Sequence, residues 1–527
     1  MILWRYIQHS NGLSRSVNSI RSPSKMKVLI FMCLLSSPLT ASDKKSERQL
    51  DIWNVELKSV QRQIVEYQEM AAIEGLSVGF VDGDEPPRLI SLGYANSETR
   101  QAVDDDTIFQ AASLSKPILA FIVLKMVERG ELDLDRPLTT ILKNARIVNK
   151  DWAKLITPRL VLSHQTGLPN WGGDSLEFNF KPGTSFNYSG EGYVYLQNVL
   201  EKITGLSYQE LATREVFKPL NMKNSYFTWS EEQNLKLALG HDRAGRQNVV
   251  PIPKANAAAS LHTTASDYLS FISAWFNDSH VKQQALREMA FMPATKSSSY
   301  KPEIKSITWG LGWGLHSVSD STIAWHWGDN GIFRGLVLVE PKTQRAMVYF
   351  SNSENGLAIS EQMTDMFFPG NPDINNWLGY GQADSELWQA ERMGYVSASK
   401  GDYNDAIEQF NKVLEVYPDN NRLKNVIEWI KPLAENRPSS VEMTPDYVGR
   451  VAGQYEDRRL FVEGSQLKYQ RGEGQVYLLT PLYDRLFKVG ALEFFRLEIV
   501  TNRDGVPVKL VGHYEGGGKD ETIRTER

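Results

Sequence analysis

Apolar positions recur along this chain with two different periods, and the switches between them mark out its elements. From Leu50 to Ala72 they fall at helical spacing, which predicts an amphipathic helix. Leu76-Ser-Val-Gly-Phe-Val81 and Arg88-Leu-Ile-Ser-Leu-Gly-Tyr94 then alternate with period two. The turn-rich Asp82-Gly-Asp-Glu-Pro-Pro87 joins them, and the pair reads as two strands. Pro117 to Glu128 is a long apolar run of helical length. Further strands are predicted at Ile307 to His316, Thr322 to Trp327, Gly335 to Glu340 and Arg345 to Ser351. Helical and loop-like sequence separates the two groups of strands. The pattern therefore predicts a mixed α/β (α+β) domain. Its antiparallel sheet draws strands from both ends, is flanked by helices, and has a helical region inserted between.

From Glu386 the character changes. Gly394, Ala406, Phe410 and Pro418 match the offsets of a tetratricopeptide repeat, with Lys400-Gly-Asp-Tyr403 as the turn between its two helices. One such pair cannot bury its own apolar face, so it must pack on a neighbour, with Arg422 to Leu433 as a capping helix. The principal domain before it is the expected neighbour. Pro438-Ser-Ser440 reads as a linker. Beyond it, short alternating runs break at Glu463-Gly-Ser, Arg471-Gly-Glu-Gly474 and Asn502-Arg-Asp-Gly505, as in a small all-β barrel of seven or eight strands. The expected division is a leader over 1–41, a principal domain over 42–372, a short all-α segment over 373–438 and a β domain over 439–527.

Charge sharpens the first of these boundaries. Residues 1–41 hold no Asp or Glu and five basic residues; removing those from the total of −5 leaves −10 on the remainder. A surface of that sign argues against nucleic acid as a partner. The only cysteine, Cys33, lies in the apolar run Val28 to Leu35, after Met26-Lys27 and before Ser36-Ser-Pro-Leu-Thr-Ala41. A short basic start, a compact apolar core too short to span a bilayer and a small-residue exit describe a secretory signal peptide, so export to a periplasm or the outside is expected. An Arg- and Ser-rich organellar transit peptide is the competing reading. Met26 is a plausible alternative start. With Cys33 removed, no thiol chemistry remains.

Candidate chemistry begins at Ser113-Leu-Ser-Lys116, placed where Thr107-Ile-Phe-Gln-Ala-Ala gives way to the apolar helix. Residues three apart on a helix share a face, so the Lys116 amine can reach the Ser113 hydroxyl, a weak nucleophile that needs a base. Ser113 would open the helix, whose free N–H groups favour negative charge. The motif alone is weak, since Ser22-Pro-Ser-Lys25 and Ser397-Ala-Ser-Lys400 repeat it. Three more segments add weight: Leu162-Ser-His-Gln-Thr-Gly-Leu-Pro169, Lys181-Pro-Gly-Thr-Ser-Phe-Asn-Tyr-Ser-Gly190 and Trp325-His-Trp-Gly-Asp-Asn330. Taken singly, His164 reads as a structural helix residue and Glu191 as a first-turn helix carboxylate. The histidines at 241, 262, 280, 316 and 513 show no ligand spacing, so neither a metal nor an organic cofactor is expected.

Together, in order and spacing, these segments resemble the serine β-lactamase and penicillin-binding-protein superfamily, in its class C-like branch of β-lactamases, D,D-peptidases, D-aminopeptidases and esterases. The resemblance covers about residues 50 to 370. It implies Ser113 as acylated nucleophile, Lys116 as its proton partner and Tyr188 as the proton shuttle of a Tyr-x-Asn motif. His326-Trp327-Gly328 would form the third motif, and the Asp329 N–H would join that of Ser113 in an oxyanion hole. A tyrosinate near neutral pH needs positive charge nearby, for which Lys116 and His326 are the candidates. Two residues depart from the family pattern. Gly190 replaces the asparagine whose amide binds a substrate acyl-amide carbonyl, and Trp327 replaces the threonine that helps hold a substrate carboxylate. Arg334 is the candidate to restore carboxylate binding, and Asp329 to hold a substrate amine. These changes shift the expected substrates toward small esters or amides, with D-amino-acid peptides next, and make Gly190→Asn the change expected to restore β-lactam or peptide turnover. A non-hydrolytic binder of cell-wall peptide or β-lactam is the rival from another class. The tetratricopeptide-like segment is a candidate protein contact.

Amino-terminal sequencing of the native protein is expected to begin near Ala41 or Ser42. A native chain starting at Met1 or Met26 would refute cleavage, and an organellar address would refute export.

Overall fold

Strands from the two ends of the principal domain meet in the middle of one sheet. The computed structural model describes residues 43–525 apart from 84, 230–235, 249–253, 277–289, 295–300, 302, 319–320 and 491. The expected leader and its Cys33 lie outside the described residues. Among these residues the chain divides into two compact units, 43–385 and 386–525.

In the first unit, helix α1 (Asp43–Met70) precedes β1 (Gly75–Val81), β2 (Arg88–Asn96), β3 (Gln101–Ala102) and β4 (Phe109–Ala112). The short strands β5 (Gly240–His241), β6 (Gln247–Asn248) and β7 (Leu261–Thr263) lie in the inserted region. The chain then returns through β8 (Ile307–Trp309), β9 (Gly314–Val318), β10 (Ser321–Asp329), β11 (Arg334–Glu340) and β12 (Arg345–Ser351). The sheet order is β3-β2-β1-β12-β11-β10-β9-β8. All neighbours are antiparallel, with Val78 opposite Tyr349 and Gly328 opposite Gly335. The run expected as one strand, Ile307 to His316, is two. A bend at Gly310–Gly312 lets Gly312 turn with φ 89°, where a Cβ would lie 2.4 Å from that of Ala120. Helix α2 (Ser115–Glu128) is buried on every side from Ser115 to Leu124. A helix that is apolar all round has to be enclosed, and this one forms the centre of the unit's core. The insertion adds α3 (Gly190–Thr204) and α4 (Ala265–Phe276), and α5 (Ser360–Phe367) follows the last strand.

The boundary expected after residue 372 falls instead between Ser385 and Glu386. Helix α6 (Pro372–Leu378) belongs to the first unit because Trp377 is buried against Trp309, Trp325 and Trp327, with ring centroids 5.1–6.0 Å apart.

In the second unit, α7 (Glu386–Lys400) and α8 (Tyr403–Val416) form a hairpin that continues into α9 (Asn421–Ala434). A Cβ on Gly394 would lie 2.4 Å from the Phe410 ring, so glycine at this position lets the two helices approach. Phe410, Val413, Leu423, Val426 and Ile430 share one small core. Eight strands follow in sequential antiparallel order: β13 (Gly453–Tyr455), β14 (Arg458–Glu463), β15 (Gln466–Arg471), β16 (Val476–Tyr483), β17 (Leu486–Val489), β18 (Leu492–Thr501), β19 (Pro507–Tyr514) and β20 (Lys519–Ile523). A bridge between Tyr455 and Arg524 brings the last strand back to the first, giving a nearly closed barrel. The neighbour on which the helices rest is this barrel. Arg496 stacks 3.7 Å from the Trp429 ring and donates to the Trp429 carbonyl and to the Tyr483 hydroxyl, while the Trp429 indole donates to the Glu493 carbonyl.

Replacing Arg496 with Ala strips a buried carbonyl and a hydroxyl of their partner and removes the stacked plane. The second unit should lose about 3 kcal/mol, read as a lower melting temperature for its calorimetric transition while the first unit's transition stays in place.

Candidate active site

Ser113 stands in the turn between β4 and α2, two residues before the first helical residue, rather than opening the helix itself. Its carbonyl accepts the Lys116 N–H (3.0 Å), which starts the helix from outside. Ala112, immediately before it, has φ 49°, a left-handed conformation costly for a residue with a side chain. The surroundings hold that turn in place. Ser115 Oγ donates to the Ala112 carbonyl (2.6 Å) and accepts from Leu261 N (2.9 Å), and the Tyr268 hydroxyl donates to the Leu114 carbonyl.

Lys116 is wholly buried. Its Nζ lies 2.9 Å from Ser113 Oγ and donates to the Ala258 carbonyl at 2.7 Å. Desolvation holds its pKa well below the usual lysine value. The ring of Tyr188 comes to 4.7 Å from Nζ and that of Tyr193 to 5.6 Å.

Tyr188 occupies the extended stretch before α3, and His164 fixes it there. The His164 ring stacks on Tyr188 at 4.3 Å, its Nδ1 accepts from Ser189 N at 3.0 Å, and its carbonyl accepts from Asn187 N. His164 is not within a helix as expected; it follows the short helix Pro158–Leu162 with φ 56°. Because Nδ1 accepts, the neutral ring carries its proton on Nε2.

His326, Trp327 and Gly328 bring β10 against the nucleophile turn. A Cβ on Gly328 would fall 2.3 Å from the Ala111 carbonyl oxygen, so only glycine lets the strand pass this close to Ser113. His326 is buried with Nδ1 2.9 Å from the Trp327 carbonyl, which assigns the proton to Nδ1. Burial, and next the Lys116 charge, drive its pKa down to about 3. The imidazole is therefore neutral at physiological pH and does not supply the positive charge expected of it. The Trp327 ring lies 4.9 Å from that of Tyr188.

Asp329 and Arg334 are also close by, but their side chains are engaged with each other. Arg334 Nε is 3.3 Å from Asp329 Oδ1, which also accepts from Gly331 N, and the Tyr380 hydroxyl donates to Asp329 Oδ2 at 2.7 Å. Tyr380 in turn is hydrogen-bonded to Trp327 and lies under the Arg334 guanidinium. The pair thus braces the β10–β11 turn instead of standing open for a substrate amine and carboxylate.

Four contributors carried no signal in local spacing: the Ala258 carbonyl, Tyr380, Asn170 and Trp171. The last two belong to a loop laid over the start of α3. Asn170 Oδ1 accepts from Gly190 N (2.9 Å), and a Cβ on Gly190 would lie 2.4 Å from Trp171 Cη2. The space beside Gly190 is therefore filled by an indole, so Gly190→Asn alone would collide with it and does not restore the family pattern as expected. Glu191 is structural, as its first-turn position suggested: it forms a two-pronged pair with Arg146 and accepts from Gly172 N.

The beta-lactamase family profile matches residues 60–364, more than half of the chain and every segment just described except that of Tyr380. The chain belongs to the beta-lactamase family. Penicillin-binding protein 4* of Bacillus subtilis is 24% identical over 304 residues, covering 50% of this chain and 65% of that protein. Protein flp of Staphylococcus aureus is 23% identical over 283 residues, 49% of this chain and 56% of its own length. The match thus spans less than two thirds of each of these relatives. Among solved structures, the octameric penicillin-binding protein homologue from Pyrococcus abyssi superposes with a TM-score of 0.51 at 19% identity, covering 89% of this chain and 98% of that one. A class C beta-lactamase does so with a TM-score of 0.51 at 18% identity, covering 58% and 95%. These likenesses establish the fold.

Burial also sets the pH dependence of stability. His326 is held to about 3 and His262 to about 4, both mainly by desolvation, and His164 well below its ordinary value of 6.5. Each binds its proton more readily in the unfolded chain. Stability from these groups is full above about pH 6.5 and is lost as pH falls toward their folded values. The first unit's melting temperature should fall steadily from pH 6.5 to 4, and less steeply in His262→Asn. A flat profile in calorimetry would show that these rings are not buried as neutral groups.

Proposed function

We propose that the protein is an exported serine hydrolase that acts through an acyl-enzyme at Ser113 on small esters or amides. The observation that carries this reading is the dry Lys116 amine 2.9 Å from Ser113 Oγ. A neutral Lys116 accepts the hydroxyl proton as Oγ attacks the substrate carbonyl. The negative oxygen that forms is received by the backbone N–H groups of Ser113 and Asp329. Loss of one such donor typically costs about 3–4 kcal/mol. The proton passes through Tyr188 to the leaving group, whose bond to the acyl carbon breaks. In the second half Tyr188 and Lys116 take a proton from water as its oxygen attacks the acyl-enzyme carbonyl, and return it to Ser113 Oγ as the bond from Oγ to the acyl carbon breaks. His164 and His326, both neutral, serve to hold Tyr188 and the strand.

The fold is shared with a class C beta-lactamase and with a D-alanine carboxypeptidase from Burkholderia cenocepacia, which makes β-lactams and D-alanyl peptides the competing substrate classes. The acid-free leader supports export to a periplasm or extracellular space. The helical hairpin of the second unit is offered as a brace and a protein contact.

Ser113→Ala should lose about 10⁶ in kcat on p-nitrophenyl esters with the fold intact. A fluorophosphonate probe should label the wild type at Ser113 and leave that variant unlabelled. Retained turnover in a contamination-free variant would end the acyl-enzyme account, and absence of both labelling and turnover in the wild type would favour the binding-protein reading.

A further inference from the structure

Both polar anchors absent from the sequence motifs have been replaced by aromatic surface. On one side of Tyr188 stands Trp327, 4.9 Å away between ring centroids. Gly190 lies two residues further along the chain from Tyr188. There the space that a side chain would enter is occupied: an added Cβ would meet three carbons of the Trp171 ring at 2.4, 2.6 and 2.8 Å. No such atom can be accommodated unless the indole moves.

The indole is not free to move cheaply. The loop beneath it is tied to the start of α3 from both ends. Before Trp171, the Pro169 carbonyl accepts from Ser189 Oγ (2.9 Å), and Asn170 accepts from Gly190 N through its side chain and from Glu191 N through its carbonyl (3.0 Å). After it, Gly172 N donates to the Glu191 carboxylate (3.0 Å). Arg146, paired with that carboxylate at 2.8 and 3.0 Å, also donates to the carbonyls of Gly172 and Gly173. Glu191 is buried, and a buried carboxylate that keeps an arginine and a backbone donor resists being pulled apart.

We propose that Trp171 is a specificity-determining residue: clamped over Gly190, it closes the acyl side of the cleft to substrates bearing an acylamido group. The site then takes uncharged acyl esters with an unsubstituted apolar chain. This rests on the acyl-transfer reading and names its substrate class. An acylamido group would have to bring its N–H and carbonyl against an indole face, with no amide at position 190 to receive them, and it would forfeit hydrogen bonds it makes in water. A plain apolar chain has no such hydrogen bonds to lose against an indole.

Full-length protein assayed with p-nitrophenyl butyrate and p-nitrophenyl N-acetylglycinate, which share a leaving group, tests the claim. The wild type should favour butyrate by at least tenfold in kcat/KM. The Trp171→Ala/Gly190→Asn double variant should cut that ratio by tenfold or more, and Trp171→Phe should leave it near the wild-type value. A folded double variant with an unchanged ratio would overturn the proposal. A second readout needs no turnover. Gly190→Ala should lower the melting temperature by several degrees in the wild-type background and much less when Trp171 is Ala, whereas equal losses in both backgrounds would show that the indole does not occupy that space. If no ester or fluorophosphonate reacts with the wild type, the acyl-transfer reading fails, while the melting-temperature cycle still reports whether Trp171 fills the place.

Discussion

Lys116 sits in the interior with its amine between a serine hydroxyl and a backbone carbonyl, a position where an ammonium ion would be strongly disfavoured. Much of the first unit maintains that condition. Helix α2 is apolar around its whole circumference, so Lys116 is carried into the core by a segment that has to be enclosed in any case. Tyr188 and Tyr193 cover the amine with ring faces, and His164 holds Tyr188 from behind. Strand β10 closes the remaining side, and it comes close enough only because residue 328 has no side chain. The two buried histidines are held neutral first by desolvation and next by the Lys116 charge. A second cation near Nζ would have to be taken out of water as well.

What could be read from the chain depended on the distance over which each signal acts. Ser113 and Lys116 are three residues apart at the entry to one helix, close enough along the chain for spacing alone to relate them. The strands on either side of the insertion were visible by their alternation, and their meeting in one sheet follows from having apolar faces at both ends of the domain. The aromatic substitutions at the cleft were not legible in this way. Trp171 reaches Gly190 across a loop, Tyr380 reaches Asp329 across 51 positions, and Ala258 offers only a carbonyl, which every residue has. The domain boundary was misplaced for a related reason. The expected limit at residue 372 stops short of the change of character at Glu386, and it leaves out Trp377, which returns to a tryptophan cluster that includes Trp309. His326 was read as a source of charge from residue type, whereas its charge state is set by a burial that residue type does not reveal.

The second unit uses a cation differently. Arg496 is also largely buried, but a guanidinium keeps its charge and spreads its donors in a plane. Here it joins a helix carbonyl, a tyrosine hydroxyl and an indole face in one contact. An amine whose proton is easily shed suits proton transfer, and a group that holds its proton suits a fixed joint. The chain places each in the unit that needs it.

The pairing of β1 with β12 bears on how the protein is made. The hairpin of β1 and β2 is complete once Asn96 has been synthesised, but the partner for the other edge of β1 ends at Ser351. At about 5–20 residues per second, that edge waits on the order of tens of seconds during synthesis. Through that time Leu76, Val78 and Phe80 stand on a strand with an unsatisfied row of backbone donors and acceptors, the arrangement that recruits neighbouring chains. Until β12 has been made, this edge of the newborn chain stays open to pairing with a neighbour.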